Sequence, residues 1–308
     1  MSNTRFQEWV VKVPYLQLDC QLGEGPYYEK ETQSLRFVDI RAKAIHWVSL
    51  HRGPDSHRTI ELDVSPSVTC NIAGHHPSEK ILVGVKYGVA ILDCTTHRYK
   101  YVHKINPAAD NPRLRTNDGA VDPEGRLLLG TMSDFDLGSP ELEGSLLRFG
   151  SLDGPPEELM SGLAVPNGIG WSPDKKLMYF VNSSKRQILV FDYSAAPSGI
   201  PFKVFYQHHE NGGEPDGLRV DSEGHVWVAI WGESCVLRIS PDGLLVGKVL
   251  VPTRFVTCPQ FVGEELFITT ARDDEEDGQD VAYGGSVFRV HVGITGLDPF
   301  LYKLPDRV

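Results

Sequence analysis

The sequence is short of positive charge. Its 308 residues include 30 Lys and Arg against 41 Asp and Glu, which gives a formal net charge of -11 at pH 7. Proteins that bind nucleic acid or anionic membranes present clustered cations to phosphate groups, and the sequence contains no basic cluster. We therefore expect neither a nucleic acid nor a membrane surface as a partner.

Long apolar runs and paired cysteines are also missing. No uninterrupted apolar stretch reaches the roughly 20 residues of a membrane-spanning helix, and residues 1–14 lack the apolar segment of a signal peptide. The five cysteines are scattered, odd in number and without a CxxC pair, which favours free thiols in a reducing compartment. Together these absences predict a cytoplasmic protein.

Several familiar catalytic and binding motifs do not occur. The sequence has no GxSxG nucleophile elbow, no HExxH zinc motif and no Walker motif, so it lacks the signatures of serine hydrolases, zinc proteases and P-loop NTPases. The acidic run at residues 273–280 lacks the alternating ligand spacing of an EF-hand loop. We expect that run to be a solvated loop.

The sequence does contain a succession of short strands. Helical periodicity is missing, and runs of apolar and β-branched residues are separated by turn residues such as those of Asp122–Gly125 and Asp221–Gly224. The strands form six consecutive pairs, at residues 35–40 and 44–48, 81–85 and 89–92, 127–131 and 145–149, 177–181 and 188–193, 226–230 and 236–239, and 266–270 and 286–290.

Segments that combine an acid or amide with glycine recur at a fixed interval. Three of them begin at Asn117, Pro166 and Pro215, each 49 residues after the one before. A constant period of this size indicates repeated structural units, and it divides the chain into about six. A sandwich or an up-and-down barrel does not predict such a period. The sequence therefore predicts an all-β, six-bladed β-propeller of four-stranded blades.

The predicted propeller is a single domain. It covers residues 1–308, with a core at 15–303. A ring of blades must also close without leaving free strand edges. We expect the N-terminal strand, at residues around 8–20, to close the last blade by pairing near residues 286–303.

Nearly the whole chain, from about Leu22 to about Tyr302, resembles one family. The sequence is similar to the SMP-30/gluconolactonase/luciferin-regenerating-enzyme family, which includes regucalcin. Any one of the matching motifs alone would be weak, whereas their order at blade spacing is specific. The motifs are Leu22–Tyr28 (LGEGPYY), Arg115–Gly119 (RTNDG), Asp122–Arg126 (DPEGR), Pro166–Ser172 (PNGIGWS), Pro215–Leu218 (PDGL) and Asp221–Gly224 (DSEG).

The resemblance implies one divalent metal ion in the central channel, held by Glu24, Asn167 and Asp216. Two carboxylates and an amide oxygen are hard ligands that suit Ca²⁺, Mg²⁺ or Mn²⁺, and carboxylate sites can also hold Zn²⁺. Three protein ligands leave coordination positions open, as in a catalytic site. Asp216 also resembles the general base that activates water, although a metal-bound carboxylate has a lowered affinity for protons.

The resemblance also implies a set of substrate contacts. Arg115 and Asn117 would bind lactone oxygens, and Asp134 would be an acidic substrate contact. Asp118 would orient the loop around the site without binding the metal itself. The implied activity is metal-dependent hydrolysis of a small sugar lactone, with the metal polarising the carbonyl group. The expected partner is thus a small-molecule lactone, and the oligomeric state, monomer or dimer, stays open.

Three departures from the family pattern keep other functions open. They are Asn182 where an Asp is usual, Trp231 after the strand in the fifth blade, and the segment 256–261, which contains Cys258. One alternative is a non-catalytic calcium-binding regulatory propeller. The other is a related propeller hydrolase or esterase with a non-sugar substrate.

Overall fold

The fold is all-β. A computed structural model describes residues 6–105, 113–150, 155–193, 202–209, 212–274 and 283–304. Within these ranges the chain forms six small sheets and three short 3-10 helices, at Pro54–Ser56, Phe135–Leu137 and Ser183–Lys185. Each sheet is one blade, which confirms the predicted six-bladed β-propeller. No helix in these ranges has the length and apolar character needed to span a bilayer.

The first three sheets have four strands each, and consecutive strands are neighbours in every sheet. The first sheet contains β2 (Gly23–Glu29), β3 (Ser34–Asp39), β4 (Ala44–Ser49) and β5 (Arg58–Glu61). The second contains β6 (Pro66–Asn71), β7 (Lys80–Val85), β8 (Gly88–Asp93) and β9 (Tyr99–Lys104). The third contains β10 (Leu114–Val121), β11 (Leu127–Ser133), β12 (Gly144–Phe149) and β13 (Glu157–Leu163).

The fourth sheet repeats this order, the fifth adds a strand at its edge, and the sixth has three strands within the described residues. The fourth sheet contains β14 (Pro166–Trp171), β15 (Leu177–Asn182), β16 (Gln187–Asp192) and β17 (Phe202–Gln207). The fifth contains β18 (Glu214–Val220), β19 (Val226–Trp231), β20 (Cys235–Ile239) and β21 (Leu245–Leu250), joined at its edge by β1 (Gln7–Val10). The sixth contains β22 (Val256–Val262), β23 (Glu265–Thr270) and β24 (Phe288–His291).

The recurring acid-glycine turns join the first strand of a sheet to the second. In the third sheet, Asp122 Oδ1 accepts hydrogen bonds from Glu124 N at 2.9 Å and Arg126 N at 2.8 Å. Gly125 supplies the positive φ of 90° that this turn requires. In the fifth sheet Asp221 Oδ1 accepts from two backbone N–H groups in the same way. The turns after β10 and β18 therefore share the same side-chain to backbone hydrogen bonds.

The N-terminal segment confirms the predicted pairing with the last blade over part of its length. Leu16 forms an antiparallel bridge with Val287, immediately before β24, and the N–H of each residue donates to the carbonyl of the other. The predicted range began too early, because β1 pairs with β21 of the fifth sheet in parallel orientation. The sequence pattern marked a strand there but not its neighbour.

The Cα atoms group into two compact units. One holds the first three sheets from Tyr27 to Asn167 and the C-terminal segment from Pro299, and the other holds the N-terminal residues through Pro26 and the last three sheets from Gly168. The first of these has a core built on residues of its second and third sheets, with Tyr302. Among the described residues of the other unit, apolar clusters lie between the fourth and fifth sheets and between the fifth and sixth sheets. The single domain stays a prediction.

The cysteines and the acidic run add detail. All five cysteines are buried free thiols. At the start of the acidic run, the buried Asp273 accepts two hydrogen bonds from the guanidinium of Arg254 at 2.9 and 3.0 Å. The remainder of the predicted solvated loop, from residue 275, lies outside the described residues.

Candidate functional site

The strands that carry the predicted site residues are irregular at those residues. The register of β10 against β11 shifts between Thr116 and Gly119, and that of β18 against β19 shifts between Pro215 and Leu218. Such bulges leave residues unpaired and turn their side chains out of the regular alternation. Asn117 and Asp216 lie within the two irregular segments. The 49-residue repeat therefore begins at positions where the regular strand pairing is interrupted.

Three of the predicted residues are joined by hydrogen bonds within one unit. Arg115 Nη2 donates to Asn117 Oδ1 at 3.0 Å. Asn117 Nδ2 donates in turn to Asn167 Oδ1 at 3.2 Å and to Pro166 O at 2.8 Å. All three side chains are buried, with 3% of Arg115 exposed and 7% of each asparagine. The Asn117 amide is therefore fixed in orientation, with its oxygen towards Arg115 and its nitrogen towards Asn167.

Asn167 Oδ1, the atom that a cation would contact, accepts the hydrogen bond from Asn117. A side-chain carbonyl oxygen has two lone pairs, and one of them accepts from Asn117. The donor chemistry of this residue thus fits a hard cation. Its assignment as a metal ligand stays a prediction.

The two predicted carboxylate ligands, Glu24 and Asp216, belong to the other unit. Both are buried, with 8% and 6% exposed. Glu24 lies at the start of β2, where its Oε2 accepts from Gly25 N at 3.0 Å. Buried carboxylates require compensating positive charge or hydrogen bonds, so this pair fits a divalent cation chemically.

Glu24 follows Gly23 and Asp216 precedes Gly217, and both glycines lie against β22. Thr257 Oγ1 donates to Gly23 O at 2.6 Å. A Cβ atom on Gly217 would lie 2.3 Å from Cys258 Sγ and 2.9 Å from Thr257 O, so only glycine allows this approach. Neighbouring residues of Glu24 and Asp216 therefore contact the same short segment of β22.

Asp118 makes a local contact. Its Oδ1 accepts from Gly119 N at 2.7 Å, and 6% of the residue is exposed. This hydrogen bond lies within the irregular segment of β10. A supporting role behind the site stays a prediction.

Asp134, the predicted acidic substrate contact, has partners for both carboxylate oxygens. It follows β11 and caps the 3-10 helix Phe135–Leu137, where its Oδ1 accepts from Asp136 N at 3.1 Å. Its Oδ2 lies 2.6 Å from Lys86 Nζ. Burial alone would lower the pKa of Lys86, but the hydrogen bond and charge of Asp134 outweigh it and raise that pKa above its usual value.

Sequence reasoning missed Lys86 and Phe135. The guanidinium carbon of Arg115 lies 4.2 Å from the centre of the Phe135 ring, and Arg115 Nη2 also lies 3.6 Å from Met132 Sδ. Lys86 follows β7 in another sheet and matches no motif. The only available signal for Phe135 was its position directly after Asp134.

The three departures from the family pattern are found near the ends of strands. Asn182 is buried and accepts from Ser184 Oγ at 3.1 Å. Trp231 stacks on Phe255 with ring centres 4.4 Å apart. Cys258 is fully buried. The aromatic stack adds an apolar surface at the end of β19, two residues after Ala229.

Comparison with known proteins gives a consistent result. The chain is 30% identical over 291 residues to "Pentonolactonase XacC" of Haloferax volcanii, covering 91% of this chain and 94% of that protein. It is 31% identical over 271 residues to "L-arabinolactonase" of Azospirillum brasilense, covering 87% of each.

A solved structure is also similar. The crystal structure of "a calcium-binding protein, regucalcin" from Agrobacterium tumefaciens strain C58 superimposes with a TM-score of 0.85 at 27% identity, covering 97% of this chain and 99% of that one. The family model described as "SMP-30/Gluconolactonase/LRE-like region" matches residues 22–272. The chain therefore belongs to the SMP-30/gluconolactonase/LRE-like family.

Proposed function

We propose that the protein is a metal-dependent lactonase that opens a small sugar lactone. Family membership and two relatives named for pentonolactone and arabinolactone hydrolysis support this activity. The observation that carries the proposal is the buried row of hydrogen bonds from Arg115 through Asn117 to Asn167. It links a cationic group, suited to a lactone oxygen, to an amide oxygen, suited to a metal.

Glu24, Asn167 and Asp216 would hold the divalent cation. Their oxygen donors are compatible with Ca²⁺, Mg²⁺, Mn²⁺ or Zn²⁺. When bound, the cation supplies Lewis acidity that polarises the lactone carbonyl.

The remaining chemistry falls to side chains of the protein. The Arg115 guanidinium binds a lactone oxygen, and Asn117 Oδ1 accepts from a lactone hydroxyl group, because both Asn117 N–H groups already donate to Pro166 O and Asn167 Oδ1; together the two residues orient the ring. Asp216 accepts a proton from water as the water oxygen bonds to the carbonyl carbon. The ring C–O bond then breaks, and the proton passes to the departing alkoxide oxygen, which leaves a hydroxy acid. Since a carboxylate has two oxygens, Asp216 can offer one to the cation and the other to the proton.

A panel assay tests the proposal. A pH indicator follows the acid released from several γ- and δ-lactones, first with metal-stripped protein and then after addition of each of the four cations. Turnover should depend on the metal, and Asp216→Ala should abolish it without unfolding the protein. Glu264→Ala, which changes a side chain that is 59% exposed, is the matched control. Full metal-dependent activity in Asp216→Ala would overturn the assignment.

Two other functions have specific support. The similarity to a structure named as a calcium-binding protein favours a non-catalytic calcium-binding propeller, which predicts Ca²⁺ binding with no turnover of any lactone in the panel. The stacked Trp231 and Phe255 favour an esterase for non-sugar substrates. That function predicts turnover of an aryl ester in preference to every sugar lactone.

A further inference from the structure

The ring of Phe135 is within cation–π distance of two guanidinium groups. The Arg115 guanidinium carbon is 4.2 Å from the ring centre, and the Arg41 guanidinium carbon is 5.1 Å from it. The two cations differ in environment, because 3% of Arg115 is exposed whereas 40% of the Arg41 side chain is. A cation over an aromatic face is held more strongly when it is desolvated, so the contact with Arg115 is the stronger of the two.

The segment that carries Phe135 is tied to its surroundings at both ends. At its start, Asp134 N donates to Arg113 O at 2.5 Å, and the Asp134 carboxylate holds Lys86 Nζ at 2.6 Å. At its end, Glu143 accepts from Arg113 Nε and from Ser133 Oγ, each at 2.5 Å. The segment that carries Phe135 is therefore held by ion pairs together with a backbone hydrogen bond that continues the pairing of β10 with β11.

The guanidinium of Arg115 is oriented from two directions. Hydrogen bonds to Asn117 Oδ1 at 3.0 Å and Thr116 O at 3.1 Å act in its plane, while the ring of Phe135 covers one face. Planar hydrogen bonds alone leave a guanidinium free to tilt about its long axis. The aromatic face removes that freedom.

We propose that Phe135 is a positioning residue for lactone binding, acting through Arg115, and that Lys86 and Asp134 anchor it. The proposal rests on the proposed lactonase function. It assigns Asp134 to the anchor, because its two carboxylate oxygens contact Lys86 Nζ and accept from Asp136 N. The expected substrate is a compact polar lactone, whose ring oxygens would contact the Arg115 guanidinium in its fixed orientation.

Steady-state kinetics of position 135 variants test the role. Phe135→Leu keeps an apolar side chain but removes the aromatic face, and we expect KM for the lactone to rise about 10-fold. Because Arg115 would bind substrate and transition state alike, kcat should change less than about twofold. Phe135→Tyr keeps the face and should restore KM. Arg41→Gln, which removes only the exposed cation, is the matched control and should leave KM unchanged.

The anchor is tested by a double-mutant cycle. Lys86→Met should raise KM in the protein that retains Phe135. In Phe135→Leu the same change should have little further effect on KM, because the substitutions at positions 86 and 135 both act through the Phe135 ring. Additive effects of the two changes would overturn the anchoring role of Lys86. An unchanged KM in Phe135→Leu would overturn the positioning role of Phe135.

A spectroscopic measurement separates this inference from the lactonase proposal. The ring current of Phe135 should shift the side-chain protons of Arg115 upfield in the NMR spectrum, and the shift should disappear in Phe135→Leu but persist in Phe135→Tyr. Absence of lactone turnover in the unmodified protein would overturn the lactonase function. An Arg115 spectrum identical in the unmodified protein and Phe135→Leu would overturn the role of Phe135 by itself, whatever the substrate.

Discussion

Replacement of Gly217 by alanine offers a sharp test of how the site is built. The added Cβ would lie 2.3 Å from Cys258 Sγ, 2.5 Å from Cys258 Cβ and 2.9 Å from Thr257 O. Rotation of the thiol relieves only the first contact, so the backbones of β18 and β22 must separate. Restoring an ordinary contact of about 3.4 Å requires a shift of about 1 Å, and overpacking of this kind costs about 1–3 kcal/mol of unfolding free energy.

The same shift displaces Asp216, the residue directly before Gly217. A misplacement of about 1 Å at a catalytic group can cost about 100-fold in rate. We therefore expect Gly217→Ala to lower kcat for lactone hydrolysis by about that factor while the protein still folds. Urea unfolding measures the stability, and the indicator assay measures kcat. Gly150→Ala is the control, because its Cβ would meet nothing closer than 3.5 Å.

A compensating series makes the reasoning refutable. Cys258→Ala removes the sulfur but leaves the Cβ contact of 2.5 Å, whereas Cys258→Gly removes both atoms. In the Gly217→Ala background, glycine at 258 should thus recover more kcat than alanine does. Equal recovery by the two changes, or unaltered kcat in Gly217→Ala, would refute the steric argument.

Three further predictions concern stability. Burial, together with His57, lowers the pKa of His46 from 6.5 to about 4. As the pH falls through this range, the unfolded chain binds more protons than the folded protein, which lowers the free energy of unfolding. His46→Gln should remove about 3 kcal/mol of this acid-dependent loss, as measured by urea titrations at different pH values. Asn117→Asp removes both amide donations and should cost about 1–3 kcal/mol by the same method. Arg36→Met leaves the buried Glu29 without its ion-pair partner and should cost about 3–5 kcal/mol in thermal or urea unfolding, with Glu29→Gln added to recover part of it.

The fold was predictable because its repeated units are marked by local features of the sequence, namely apolar runs and the turn residues that bound them. The strand at residues 35–40 was predicted within one residue of β3 (Ser34–Asp39), since apolar runs bounded by turn residues depend on neighbours in sequence. The pairing of β1 with β21 was not predictable, because a strand pattern carries no information about its partner. The 3-10 helix at Phe135–Leu137 was missed for a related reason. Asp134 caps this helix, whereas the family resemblance indicates a substrate contact at Asp134 and gives no sign of a helix start.

The candidate site was predictable as a set of residues but not as a network. The motif around Arg115 and Asn117 indicated both residues, and the structure joins them at 3.0 Å. The ion pair of Lys86 with Asp134 joins residues that follow strands of two different sheets, and nothing in the sequence around either residue specifies it. Long-range ion pairs of this kind arise from the tertiary arrangement, so a single sequence does not reveal them.

The contact between the N-terminal segment and the last blade has a consequence for protein synthesis. Leu18 N donates to Ser286 Oγ across a separation of 268 residues. At elongation rates of about 5–20 residues per second, the ribosome needs roughly 13–54 s to deliver this partner. During that interval the segment before β2 has no partner strand, because the sixth sheet has not yet been synthesised. The N-terminal segment can therefore make this contact only after residues 286–287 have been synthesised, when all of the earlier sheets are already present in the nascent chain.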